Sequence, residues 1–309
     1  MKSLLSLFVL ATASCALAQG TGDYAKFHRN PDIANARYGP DERNILDLWQ
    51  APSARPTPLV IYFHGGGFNS GAKDRLSPIL LRVCLEAGIS VGAANYRLTK
   101  TAPFPASMHD GARVVQFFRH KAREWNLNPA AIGATGGSAG GTLSMWIAFH
   151  DDLADPASPD PVLHQSSRLT AVTSQTAPST MDPRAIEPFA GRLASHHPIM
   201  EPFFGAKQSE WMRPEVICRF EAASPYHHLT KDDPPLFAYY SGPWKLPENP
   251  TAGQAIHATA FGTYLKEKSD RIGHRMIIRQ ADDYQDRSTW EEQLFTEMVR
   301  FFKTHFAGK

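Results

Sequence analysis

Cysteine is scarce, with three in 309 residues, at Cys15, Cys84 and Cys218. Their spacing matches no thiolate metal site. A charge of one sign is also missing: 32 Lys+Arg stand against 30 Asp+Glu, a formal net charge of +2. With no long basic run, the chain lacks the electrostatic footprint that nucleic acid requires. Past the N-terminal segment, no stretch is apolar enough to cross a bilayer, which takes roughly 20 residues. Internal repeats and low-complexity tracts are absent too. A hydrophobic content of 42% supplies a sizeable core, so long disorder and fibrous repeats are excluded. One large α/β domain or two smaller ones remain.

The N-terminus reads as a targeting segment. Lys2 precedes an apolar stretch from Leu4 to Ala13, and Ala16-Leu17-Ala18 supplies an A-x-A site before Gln19. This describes a secretory signal peptide, over residues 1–18, and a secreted or periplasmic protein. Cys15 raises a lipoprotein site, but Thr12 stands where such sites want Leu or Val, so cleavage is expected after Ala18. Cys84 and Cys218 then remain, either as a disulfide or as two free thiols.

Gln19–Arg43 reads as a polar arm. From Asn44 onward, strand-like runs alternate with helix-like ones. Strands are expected at Leu59–Phe63, Ile89–Tyr96, Ala131–Thr135, Leu169–Gln175, Leu236–Tyr240 and Arg275–Gln280. Helices are expected at Arg75–Ala87, Met108–Trp125, from Gly141 to about Phe149, around Gln254–Lys268 and at Ser288–His305. Such alternation predicts a mainly parallel sheet covered on both faces. Residues 178–224, rich in Pro, His and aromatics, break the rhythm and read as a cap-like insertion.

Two motifs carry chemistry. Gly136-Gly137-Ser138-Ala139-Gly140 fits G-x-S-x-G between a predicted strand and a predicted helix. There a sharp turn pushes a serine hydroxyl out at the top of the sheet, and a helix N-terminus favours the negative charge formed on attack. His64-Gly65-Gly66-Gly67-Phe68 follows the strand at Leu59–Phe63. Glycines there let backbone N–H groups hold a tetrahedral oxyanion, with Gly66, Gly67 and Ala139 as the expected donors. His64 is expected to hold this loop rather than act as a base.

With these motifs in order, the chain resembles α/β-hydrolases of the HGGG esterase type, including secreted acetyl-esterase and feruloyl-esterase-like proteins. The resemblance runs from about Asn44 to Phe306. Supporting pieces are Asn44-Ile45-Leu46-Asp47-Leu48-Trp49, Asn95-Tyr96-Arg97-Leu98, Phe104-Pro105-Ala106, Asp110, Trp125 with Asn128-Pro129, and Ser224-Pro225 with Pro234-Pro235. It implies an α/β-hydrolase domain over 44–306, a serine esterase activity and no cofactor.

Such relatives carry an acid after the penultimate strand and a histidine after the last. Here Glu248 is the carboxylate of the first loop, and Ala281-Asp282-Asp283-Tyr284-Gln285-Asp286 holds no histidine. An ionised aspartate is a weak base toward a serine hydroxyl. Sites in open α/β sheets sit at the carboxyl ends of the strands, which removes His274, His150 and His305. His257, at the start of the helix after the Glu248 loop, is the first substitute. The cap pairs His196-His197 and His227-His228 follow, and His109 reads as structural.

Trp125, Trp146 and Trp244 read as packing residues, and Asp282-Asp283 with Asp286 as a solvated loop rather than a calcium site; no metal site is expected. The leading reading is a secreted carboxylic-ester hydrolase acting on a small-molecule or polysaccharide-linked ester. Ser138 is its nucleophile, His257 its base and Glu248 its acid. The alternative is a catalytically impaired relative that keeps the oxyanion cradle to bind a ligand.

Overall fold

The alternating pattern folds into one sheet with strand order β1-β2-β4-β3-β5-β6-β7-β8. The strands are β1 (Ile33–Arg37), β2 (Ile45–Trp49), β3 (Thr57–Phe63), β4 (Ser90–Ala94), β5 (Leu127–Gly136), β6 (Ala171–Gln175), β7 (Leu236–Tyr240) and β8 (Met276–Gln280). The computed structural model describes residues 27–284, 286 and 288–309. The segment read as a signal peptide, with Cys15, lies outside the described residues. β2 runs antiparallel to both β1 and β4, and the other neighbours are parallel. β1 comes from the stretch read as a polar arm, where Asp47 Oδ1 accepts the Asn35 N–H at 2.8 Å and ties it to β2.

Helices cover both faces: α1 (Pro78–Glu86), α2 (Ala106–Lys121), α3 (Ala139–Phe149), α4 (Pro183–Ala190), α5 (Arg192–Ser195), α6 (Met200–Phe204), α7 (Pro214–Ala223), α8 (Pro225–His228), α9 (Ala252–Ile256), α10 (Ala260–Ile272) and α11 (Trp290–Phe306). Period-two alternation divides β3 between two cores. Leu59, Ile61 and Phe63 pack with α2 and α3, while Val60 and Tyr62 pack with α1 and α11. α3, which starts one residue after Ser138, is buried along its whole length. Each large apolar side chain so buried stabilises the fold by roughly 1.5–3 kcal/mol. This is the expected α/β-hydrolase fold.

Local capping explains where elements differ from the sequence reading. Helix α1 begins at Pro78 rather than Arg75, because the Ser77 side chain accepts the Leu80 N–H and proline suits the first turn. The single helix expected at Gln254–Lys268 is two. Thr251 and Gln254 form a capping box that starts α9, and His257 ends it before α10 begins. Residues 178–224 form α4 to α7, whose Phe203, Phe204, Trp211 and Phe220 are buried. α4 packs on α10 and α5 packs on α9. Cys84 is buried and Cys218 exposed, and both are free thiols, so the disulfide alternative does not form. Trp125 and Trp146 are buried, while Trp244 is 58% exposed. Among the described residues, no helix is long and apolar enough to cross a membrane.

Candidate active site

β5 delivers Ser138 through a turn that only small neighbours allow. Ser138 takes φ 51° and ψ −123°, a backbone state that L-residues adopt at a cost of about 1–3 kcal/mol and that marks nucleophile elbows. The surroundings over-determine it: the Ser138 N–H donates to the Gln175 carbonyl at 2.8 Å. A Cβ on Gly140 would lie 2.0 Å from the Phe63 carbonyl oxygen, so the crossing of β3 and α3 demands glycine there.

The loop after β3 brings backbone donors to the same point. Gly66 sits at φ +115° and Gly67 at +60°. Among the described residues, none accepts the N–H of Gly66, Gly67 or Ala139. Arg43 holds this loop from beneath. Its Nη2 donates to the Gly71 carbonyl at 2.9 Å and its Nε to the Tyr96 carbonyl at 2.8 Å. The same Nη2 lies 3.3 Å from His64 Nε2. His64 stacks on the Tyr96 ring at 4.2 Å, and Tyr96 Oη donates to the His64 carbonyl at 2.6 Å. Burial, aided by Arg43 and Arg75, pushes the His64 imidazole down to about 4. It is therefore neutral, donating from Nδ1 to the Gly65 carbonyl at 2.8 Å and accepting from Arg43 at Nε2. Nothing local in the sequence marks Arg43 for this role; the signal is purely tertiary.

His257 Nε2 lies 2.8 Å from Ser138 Oγ. Sequence reasoning placed His257 at the opening of a helix, whereas it is the C-cap of α9. That position still points it across the carboxyl edge of the sheet. Burial lowers its pKa below the usual imidazole value, against the opposing pull of the Gly253 carbonyl one turn back along α9. Neutral, with its proton on Nδ1, the ring presents an unprotonated Nε2 to the serine. The structure thus brings Ser138 and His257 together and leaves Glu248 apart. Glu248 is exposed, and among the described residues His257 makes no contact with a carboxylate. After β8, Asp283 accepts the Gln280 N–H at 2.8 Å, and Gln280 Nε2 donates to Thr259 Oγ1 at 3.0 Å and the Gly242 carbonyl at 3.2 Å. Among the described residues, no cluster of three or more His, Cys, Asp or Glu is arranged to hold a metal ion.

A cavity of about 380 Å³ opens on Ser138, His257, Gly66, Gly67 and Ala139. A larger cleft, about 580 Å³, sits at the opposite edge of the sheet around Arg168 and Arg275, remote from the serine. Of the other histidines, His197 lines the Ser138 cavity. His196 is turned to Ser195 Oγ at 2.8 Å. His109, His150 and His228 gather around Trp146, and His227 is exposed. His274 is bonded to Ser269 and Pro234, and His305 packs on Phe301.

Sheet order, strand–serine–helix turn and glycine loop together define an α/β-hydrolase. The family profile described as BD-FAE matches residues 46–241, well over half of the chain, and the chain belongs to that family. It is 26% identical over 220 residues to the probable carboxylic ester hydrolase LipM of Mycobacterium tuberculosis, covering 70% of this chain and 48% of the relative. To Esterase LipQ of the same organism it is 27% identical over 243 residues, covering 74% and 52%. The chain spans about half the length of these curated relatives. Among solved structures, a truncated carbohydrate esterase from gut microbiota superposes with a TM-score of 0.67 at 21% identity, over 88% of this chain and 95% of that one. An acetyl ester-xyloside bifunctional hydrolase from Caldicellulosiruptor lactoaceticus gives 0.65 at 20% identity, over 84% and 87%. At that identity the likeness establishes the fold.

Proposed function

We propose that the protein hydrolyses a carboxylic ester with Ser138 as nucleophile. The observation that carries this reading is the 2.8 Å contact between Ser138 Oγ and His257 Nε2 in a cavity shared with the N–H groups of Gly66, Gly67 and Ala139. His257 takes the serine proton as Oγ attacks the ester carbonyl, and the three N–H groups receive the oxyanion. Collapse of the tetrahedral intermediate breaks the bond to the alcohol oxygen, to which His257 returns the proton. A water, deprotonated by the same imidazole, then attacks the acyl-serine, and Oγ leaves with the proton from His257. The mechanism requires the neutral imidazole to carry its proton on Nδ1, the nitrogen away from Ser138.

The names of the two structural neighbours support an acyl group on a sugar or polysaccharide as the substrate. Lys2, the apolar stretch to Ala13 and Ala16-Leu17-Ala18 support an exported protein meeting that substrate outside the cytoplasm. The missing carboxylate favours a second reading, a slow or inactive relative that binds its ligand in the same cradle.

Fluorophosphonate labelling of the purified protein separates the two. Labelling of wild type that disappears in Ser138→Ala and drops sharply in His257→Ala supports the hydrolase. A well-folded wild type that takes no label refutes it and leaves the binding protein.

A further inference from the structure

His197 and Ile199, from the segment read as a cap, line the Ser138 cavity. At one end the Ile199 side chain rests on the oxyanion loop, so close that a Cβ on Gly67 would lie 2.8 Å from Ile199 Cγ2. At the other end α5 packs on α9, the helix that His257 terminates. His197 Nδ1 accepts the Ile199 N–H at 3.3 Å, so the proton of the neutral ring is on Nε2. Burial, and after it the neighbouring His257, lowers the His197 pKa. At neutral pH His197 is thus a donor that does not oppose the imidazolium forming on His257.

In the rest of the lining Asn69 is the polar side chain besides Thr142, and it belongs to the oxyanion loop, its Oδ1 accepting from Thr99 Oγ1 at 3.5 Å. Phe68, Pro178, Met181, Ile199 and Ile256 are apolar, and the Thr142 hydroxyl is committed to the Pro178 carbonyl at 2.8 Å. The direction of the reaction then assigns the sides of the cavity. Gly66, Gly67 and Ala139 take the carbonyl oxygen, while His257 must deliver its proton to the departing alkoxide. Groups beside His257 therefore face the alcohol half of the ester.

We propose that His197 donates its Nε2–H to an oxygen of the alcohol half. It would thereby select alcohols that carry a hydroxyl or ring oxygen close to the ester, as a sugar does, over plain alkyl alcohols. This rests on the ester-hydrolase reading and names its substrate-selecting residue.

The test compares two acetates with a common acyl group, a monoacetylated methyl xyloside and butyl acetate. The full-chain wild type, His197→Ala and His197→Asn are each measured. The ratio of kcat/KM for the sugar ester to that for butyl acetate should fall about fivefold to tenfold in His197→Ala, the size of one neutral hydrogen bond. It should recover in part in His197→Asn, whose amide is also a donor. An unchanged ratio, or an asparagine variant no better than alanine, overturns the assignment. Labelling by fluorophosphonate in all three proteins reads the Ser138–His257 pair separately. Intact labelling with an unchanged ratio sinks the role of His197 alone. A wild type that neither labels nor cleaves either acetate sinks the hydrolase reading and this one with it.

Discussion

Ser138 Oγ has one imidazole at 2.8 Å, and among the described residues no carboxylate contacts that imidazole. A carboxylate partner would stabilise the imidazolium about twice as well as a neutral one, because charge-assisted hydrogen bonds are roughly twice as strong as neutral ones. The dyad should therefore turn over more slowly than a complete triad. Because Glu248 is exposed and apart from His257, Glu248→Gln should leave kcat/KM within about twofold. His257→Gln should lower it by about 10³ or more. A hundredfold loss in Glu248→Gln would mean that the loop closes onto His257 during turnover. On the proposed mechanism His257 must be neutral to take the serine proton, and burial lowers its pKa below the usual 6.5. The acid limb of the pH profile of kcat/KM should accordingly have its midpoint below 6.5; a midpoint above that value would contradict the buried dyad.

Among the elements, two contacts hold the site in register. Gly140 lets α3 cross β3 with no room for a Cβ, since the Phe63 carbonyl is 2.0 Å from where one would stand. Gly140→Ala should destabilise the protein by about 3 kcal/mol and lower Tm by roughly 5–10 °C, readable by calorimetry. Arg43 ties the oxyanion loop to the end of β4 through the Gly71 and Tyr96 carbonyls. Arg43→Ala should lower kcat about tenfold with a smaller change in KM, because the donors it positions act chiefly on the transition state. Arg43→Lys should not restore the rate, as one ammonium cannot replace a guanidinium that bonds two carbonyls and faces His64. Equal losses in kcat and stability across temperatures would assign Arg43 to folding alone.

Across the whole molecule, buried neutral histidines make the fold sensitive to acid. His64 is fully buried and its pKa is about 4, against about 6.5 in the unfolded chain. Between these values the unfolded state binds the extra proton, so stability is lost as pH falls from 6.5 toward 4. The loss is about 3 kcal/mol for His64 on full passage through the window. His197, His257 and His274 are shifted in the same direction. Urea midpoints should drop between pH 7 and 4.5, with a shallower slope in His64→Asn.

The sequence by itself determined the sheet, the serine turn and the glycine loop. Each is written locally, as period-two apolar runs and as glycines where a Cβ or a negative φ is forbidden. It also narrowed the proposed base to a few histidines, because the carboxyl edge of a parallel sheet can be located from strand ends. Only the tertiary structure decided that His257 reaches Ser138 while Glu248 stays apart, that Arg43 bonds both the Gly71 and Tyr96 carbonyls, and that His197 lines the cavity. Those four contacts join segments far apart in the chain or turn on where one short helix ends. Their distances depend on how the cap and the loop after β7 pack on the sheet, and no local pattern records that packing.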